Sequence, residues 1–585
     1  MRHLILAAAL ALAAAPALPQ PAWADDDAVR KLVADYEAWW LGDDPVTAGN
    51  LGVRAALSKL ADVTPAADAR RKAALTAFQA RARAIPDAGL SETAKLNRDL
   101  LAWTLESRLG YLGFDQARIQ ISSDGSFFDT LGYLAASTPI RTADDARAWA
   151  DRLEAGAKDW RDNTENTRRG VKTRFTQPRS TVEAVIRQVG GMVAVPVDQD
   201  PLLRPLAKLP EAMGSADRAA VRARAVRAVE AIRVEQRAFL KFLETEYLPA
   251  ARPGLGVRSA PGGEAYYRFV VRDHTTTNMT PEQIHALGVS EVARIRAEMD
   301  VAMKEAGWTG DLAGFIATLR KDPKFYATSR EDLLEKASEI AKRLDDKLPG
   351  YFGTLPRLPY GVRPVPKELE QGYTTGRYWG GSPTNGVAGG YMVNTYALDQ
   401  RGLHELPALT AHEAVPGHHL QIALAQEMPE TPAFRRESYY TAFGEGWGLY
   451  SERLAGEMGI YRTPYERFGQ LSYEMWRACR LVADTGIHWM GWSLDQARAC
   501  FTDNTALSPL NIEVELARYV SWPGQALAYK IGERKYVELR GKAKTALGDK
   551  FDIRRFHDAV LLAGPLPMDI LEARIGAWIV AEQNR

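Results

Sequence analysis

The chain is 585 residues long, enough for two to four domains. Its 46% apolar and 25% charged residues are ordinary for a globular protein, and 74 basic against 73 acidic residues leave a formal charge of +1. That balance gives no reason to expect nucleic acid as a partner; the arginines from Arg218 to Arg233 alternate with alanine and acid at helical spacing, as on a solvated helix face.

The N-terminus reads as an export signal. A basic start (Arg2, His3) leads into an apolar run from Leu4 to Leu18, and Ala22-Trp23-Ala24 precedes three aspartates. Residues 1–24 are therefore expected to be a leader cleaved near Ala24, which puts the protein in the periplasm or outside the cell. No cysteine near the cleavage point offers a lipid anchor. No later run of 18 or more apolar residues appears, so no integral membrane segment is expected. Cys479 and Cys500 are the only cysteines. Export permits a bridge between them, and two free thiols remain equally open.

Asp26 to about Leu109 is predicted helical, because apolar residues recur three and four apart, as in Leu96, Leu100, Leu101 and Leu105. Thr142–Thr164, Thr181–Val189 and Ser215–Leu248 follow as helices, the last with Ser215 as its cap. Thr280-Pro281-Glu282-Gln283 opens another, with Thr280 as cap and Gln283 closing a capping box. Ser329–Leu348 is the next. Tyr351–Tyr396 changes character: it is dense in Gly, Pro, Tyr and Thr, and Gly389 to Thr395 reads as a short strand after a glycine turn. Helices resume near Gly402. The fold class is thus mainly α with a small β element. Either an N-terminal helical part (25–260) and a second part (261–585) are divided at the Pro/Gly/Ser-rich stretch Pro253–Gly263, or the two form one integrated domain.

The chemistry-bearing segment is Ala411-His412-Glu413-Ala414-Val415-Pro416-Gly417-His418-His419. Zinc hydrolases commonly place two histidines four apart on a helix, with a glutamate beside the first to reach the metal-bound water. Here position i+4 is Pro416. In an unbroken helix His419 shares the face of His412 but lies about 10 Å away along the axis, too far for both to bind one ion at about 2.1 Å. Pro416 and Gly417 interrupt the helix, and a bulge there would return His418 or His419 to His412. The bland alternative is a Pro-Gly break with histidines near it by chance. Further on, Phe443-Gly444-Glu445-Gly446-Trp447-Gly448-Leu449-Tyr450-Ser451-Glu452 supplies the acid such sites take from the following helix. Glu445 and Glu452 share a face; Glu445 is the expected ligand, and Glu452 is expected at the surface or behind the site. Gly446 is expected to let that helix approach the metal helix.

Four ordered motifs carry a resemblance. They are the two above together with Asp484-Thr485-Gly486-Ile487-His488-Trp489-Met490-Gly491-Trp492 and the stretch from Arg518-Tyr519 to Ile531-Gly532. In these the chain resembles the bacterial family known as domain of unknown function 885, which is placed by similarity with zincin-like metallopeptidases of the glutamate-zincin type. The resemblance implies a zincin-like architecture with a cleft between two helical halves. It also implies a metal motif whose matches are His412, Glu413 and His418, favouring His418 over His419.

The expected chemistry is peptide hydrolysis at Zn²⁺ held by His412, His418 and Glu445, with Glu413 as general base. Mn²⁺, Co²⁺ or Fe²⁺ would suit the same donors. His488, Tyr519 and Tyr529 are candidate donors to the oxyanion, although His488 would equally serve as a core histidine bonded to Asp484. Arg518 is a candidate for a substrate carboxylate. By analogy with zincins, the Gly390–Thr395 strand would bind substrate backbone, with Asn394 adding a side-chain contact. Short peptides are the expected partner, cut in carboxypeptidase or dipeptidase fashion. A metal-dependent hydrolase of another amide or ester, such as a cell-wall fragment, shares the same metal site. A non-catalytic binding protein is the third reading, and it gives Glu413 no purpose.

Overall fold

A computed structural model describes residues 23–585 apart from 124, 368, 384, 385, 429 and 430. The expected leader, residues 1–24, lies almost entirely outside the described residues. The described chain is mainly helical, with one small three-stranded sheet. Among these residues no helix is long and apolar enough to cross a membrane.

Local signals set many of the helix starts. Thr142 caps Ala143–Thr173, and Thr280 caps Pro281–Glu305; both form capping boxes with both reciprocal bonds present. The Ser215–Phe242 helix departs from expectation. Gly214 holds the cap position, and Ser215 is already inside the helix.

The apolar residues group differently from a division at residue 260. One cluster joins Val29–Leu105 to residues from Ile295 to Ile575, so the first helices pack into the same core as the C-terminal part. A second cluster spans Ile121–Tyr247, built mainly on Ala143–Thr173 and Ser215–Phe242. The segment from 253 to 262 is irregular, as its composition implies, but it does not separate two cores.

The sheet lies within the Gly- and Tyr-rich segment. It comprises β1 (Tyr360–Pro364), β2 (Gly376–Trp379) and β3 (Gly389–Val393), in the order β1-β3-β2. β3 pairs in parallel with β1 and antiparallel with β2. It is buried along its whole length, and both of its edges are occupied. The strand expected to receive substrate therefore cannot do so, and β1 and β2 are the edges. Cys479 and Cys500 form a disulfide that ties the Pro464–Thr485 helix to Leu494–Asn504.

Candidate metal centre and its cleft

The helix carrying His412, Leu406–Glu413, stops one residue after it, and a second helix, His418–Gln426, begins at His418. The turn between them contains a cis Val415–Pro416 bond. It is closed by long backbone bonds, from Gly417 N–H to Ala411 O and from His419 N–H to Ala414 O, each 3.0 Å. The Trp447 indole N–H donates to Pro416 O at 2.7 Å and pins the turn. The interruption is thus a full break rather than a bulge within one helix. It folds the extra residues away and brings the His418 ring within 4.8 Å of the His412 ring, centroid to centroid.

Glu445 enters from the Thr441–Glu457 helix. Its Oε2 lies 3.5 Å from His412 Nε2 and 3.4 Å from His418 Nε2. All three donor atoms fall within 4.8 Å of one another. Ligands about 2.1 Å from a tetrahedral ion stand roughly 3.4 Å apart, so these residues fit a zinc-sized cation. Close helix contact makes this convergence possible, but through a different glycine from the one expected. Gly446 faces Gly532, whereas Gly448 faces His412, where a Cβ would sit 2.6 Å from the imidazole.

His412 is held from behind. Its Nδ1–H donates to Glu452 Oε1 at 2.7 Å, leaving Nε2 to face Glu445. Glu452 is fully buried and also pairs with Arg477 Nη2 at 3.3 Å. Burial opposes charge on His412, but the Glu445 and Glu452 carboxylates overcome it and push its pKa up to about 9. Burial likewise opposes charge on Glu445, and His418 and His412 hold its carboxyl well below the usual range. His419 points elsewhere. Its Nδ1 meets the Tyr378 hydroxyl at 3.1 Å, its ring packs on Tyr360, and burial lowers its pKa to about 4.

Two measurable consequences follow from Glu452 and His412. Glu452→Gln keeps a hydrogen-bond acceptor but removes the charge; metal affinity is expected to fall by about 10–100-fold, read by competition with a chromophoric chelator. Unchanged affinity would show that Glu452 only fills space. A metal takes neutral imidazole, so binding must displace the His412 proton. Affinity is therefore expected to climb as pH rises towards about 9 and to level off above it. In the metal-free protein the sign reverses. Charged His412 stabilises the fold below its ordinary value of 6.5, and that stability is lost as pH rises through about 9. Metal affinity that stays flat between pH 6 and 9 would contradict this assignment.

The cluster opens into a cleft of about 550 Å³ whose lining runs from Thr374 to Tyr529, all within one part of the chain rather than between its N- and C-terminal parts. β2 supplies one margin through Gly376, Arg377 and Tyr378. Glu413 lines the cleft beside the cluster, its Oε2 accepting the Tyr378 backbone N–H at 2.7 Å. Tyr529 and Arg518 also line it, with Arg518 Nη2 3.3 Å from the Tyr529 hydroxyl.

Three expected site residues are not brought to the cleft. His488 is fully buried; its Nε2 meets Tyr519 O at 2.8 Å and its Nδ1 accepts the Val257 N–H at 3.0 Å. Both ring nitrogens are consumed, and burial lowers its pKa to about 3. Nor does it pair with Asp484, which binds the Tyr267 hydroxyl and Gly524 N–H instead. The Tyr519 hydroxyl is buried as well. It donates to Glu515 at 2.7 Å and accepts from Trp476 Nε1 and Arg480 Nε. Asn394 is buried, with Nδ2 donating to the carbonyls of Glu370, Tyr373 and Thr374 and Oδ1 accepting from Tyr396 N–H. It shapes the loop leading into β2 rather than contacting a ligand.

Conversely, the cleft holds a residue that no motif marked. Tyr439 is half-exposed, lines the cleft and donates from its hydroxyl to Glu445 Oε1 at 3.1 Å. It precedes the helix that carries Glu445, in a stretch with no pattern of its own.

Similarity to other proteins bears on the fold and the family. The chain resembles a crystal structure from Colwellia psychrerythraea described as a "putative lipoprotein", with 26% identity, a TM-score of 0.89, and 95% of this chain and 99% of that one covered. It also resembles a Shewanella oneidensis "putative lipoprotein of unknown function", with 19% identity, a TM-score of 0.73, and 93% and 99% covered. No curated protein matches it. Residues 45–575 match the family described as bacterial protein of unknown function (DUF885), and the chain belongs to that family.

Proposed function

We propose that this protein is an exported zinc-dependent metallopeptidase acting on short peptides, of carboxypeptidase or dipeptidase type. The observation that carries the reading is the convergence of His412 Nε2, His418 Nε2 and Glu445 Oε2 beside Glu413 in an open cleft. Two neutral imidazoles and one carboxylate suit zinc or another divalent transition metal. Such an ion supplies Lewis acidity that polarises the scissile carbonyl and acidifies a water.

The remaining roles fall to the chain. Glu413 takes the proton of the attacking water and returns it to the leaving amine. Tyr529, whose hydroxyl accepts from Arg518 and faces the cleft, donates a hydrogen bond to the carbonyl oxygen as charge builds there, and Tyr439 orients Glu445 through its own hydroxyl. The edge strand β2, which lines the cleft, favours a peptide over other amides, because an extended backbone can lie along it. Export is supported by the leader-like residues 1–24, the disulfide, and the lipoprotein description of the two similar structures.

The test is elemental analysis of the purified protein beside His412→Ala and His418→Ala. About one equivalent of zinc in the parent, lost in both variants, is the expected result. A parent that holds no metal after zinc reconstitution would refute the proposal.

A further inference from the structure

A second wall of the cleft is formed by the Pro464–Thr485 and Pro509–Ser521 helices and is dense in arginine. Arg480 is only 2% exposed, and its guanidinium is clamped. Nε donates to the Tyr519 hydroxyl at 2.8 Å and Nη2 to Glu515 at 2.9 Å, while the group lies over the Trp476 and Tyr529 rings at 4.5 and 4.2 Å. Its Nη1 is buried with no hydrogen-bond partner. Arg477, one turn earlier and also lining the cleft, leaves its Nε in the same condition although its Nη2 reaches Glu452.

A guanidinium N–H buried without an acceptor is costly, and such a group calls for an explanation. Glu515 is already engaged, because it takes Arg480, Arg518 and the Tyr519 hydroxyl. Burial alone would raise the Glu515 carboxyl, yet Arg518 and Arg480 pull it down to about 2, so it stays charged and committed to them. With Nε and Nη2 engaged and the plane held against two aromatic rings, Arg480 is fixed in place with Nη1 left to donate to a carboxylate brought in from outside.

We infer that this wall is a carboxylate-binding subsite centred on Arg480. The inference rests on the peptidase reading and narrows its substrates to peptides that carry a free carboxylate, either the C-terminal group or an acidic side chain. A carboxylate held here, in the cleft that also contains Glu413 and the metal cluster, would set which bond is cut.

The experiment compares tetraalanine, its C-terminal amide and Ala-Ala-Ala-Asp amide on the zinc-loaded protein. Amidation of tetraalanine is expected to lower kcat/KM by about 10–100-fold. Arg480→Lys is expected to shrink the acid-to-amide ratio by a similar factor; should that variant not fold, the parent's acid-to-amide ratio decides. Full recovery on Ala-Ala-Ala-Asp amide assigns the carboxylate to a side chain, and no recovery assigns it to the C-terminus. Equal rates on tetraalanine, its amide and Ala-Ala-Ala-Asp amide would overturn the subsite while leaving the peptidase reading intact. If no peptide is cut, that reading has failed, and calorimetric titration of the same peptides into zinc-loaded Glu413→Gln protein still decides the subsite. Preference for the acid supports it, and equal or absent binding overturns it.

Discussion

Glu413→Gln is expected to retain the metal and to lose turnover by about 10²–10⁴-fold. Glu413 adjoins His412 in sequence but stands outside the group of donor atoms formed by His412, His418 and Glu445. Its carboxylate faces the cleft and is oriented by the Tyr378 N–H of β2. Glutamine matches its size and can keep that bond through its own carbonyl oxygen, so the local packing should survive. What it cannot do is accept a proton at neutral pH. Metal content measured on the same sample separates loss of the base from loss of the ion. Full activity with full metal would remove Glu413 from the mechanism, and loss of metal would make it a ligand instead.

The second large effect is structural. The Thr441–Glu457 and Ala528–Leu547 helices meet backbone to backbone at Gly446 and Gly532. A Cβ on Gly532 would stand 1.9 Å from Ala442 O and 2.8 Å from Gly446 Cα. Those are backbone atoms, which cannot rotate aside as a side chain could, so Gly532→Ala must push the helices apart. We expect a cost of about 3 kcal/mol, near the upper end for overpacking, read from the denaturant midpoint at constant m-value. Glu445 lies between Ala442 and Gly446, so zinc affinity should fall as well. Gly541→Ala is the control. It lies on the same helix in open space and should stabilise the protein by about 0.5–1 kcal/mol through helix propensity alone. Equal stability of the two variants would contradict this account of the contact.

Much of this protein is legible in its sequence where the interactions are local. The Thr142 and Thr280 capping boxes act across three residues, and helical apolar spacing repeats every three or four, so helix class and many starts can be read directly. Gly389–Val393 is marked by its own residues. His412, Glu445 and the Pro-Gly break after His412 were also within reach, whereas the choice of His418 over His419 rested on the family resemblance, because spacing left both open.

What only the tertiary structure decided concerns partners distant in the chain. His488 looks catalytic until Val257, more than two hundred residues earlier, takes one of its nitrogens. Tyr519 looks like an oxyanion donor until Trp476, Arg480 and Glu515 occupy its hydroxyl. Asn394 looks like a substrate contact until three carbonyls claim its amide. β3 reads as the margin of the sheet because its two neighbours, β1 and β2, lie in Gly-rich stretches with little periodicity of their own. Tyr439 and Arg480 carry no motif at all. A polar side chain is available for chemistry only if the fold has not already satisfied it, and that balance is set by whichever residues packing brings alongside, which local spacing does not encode.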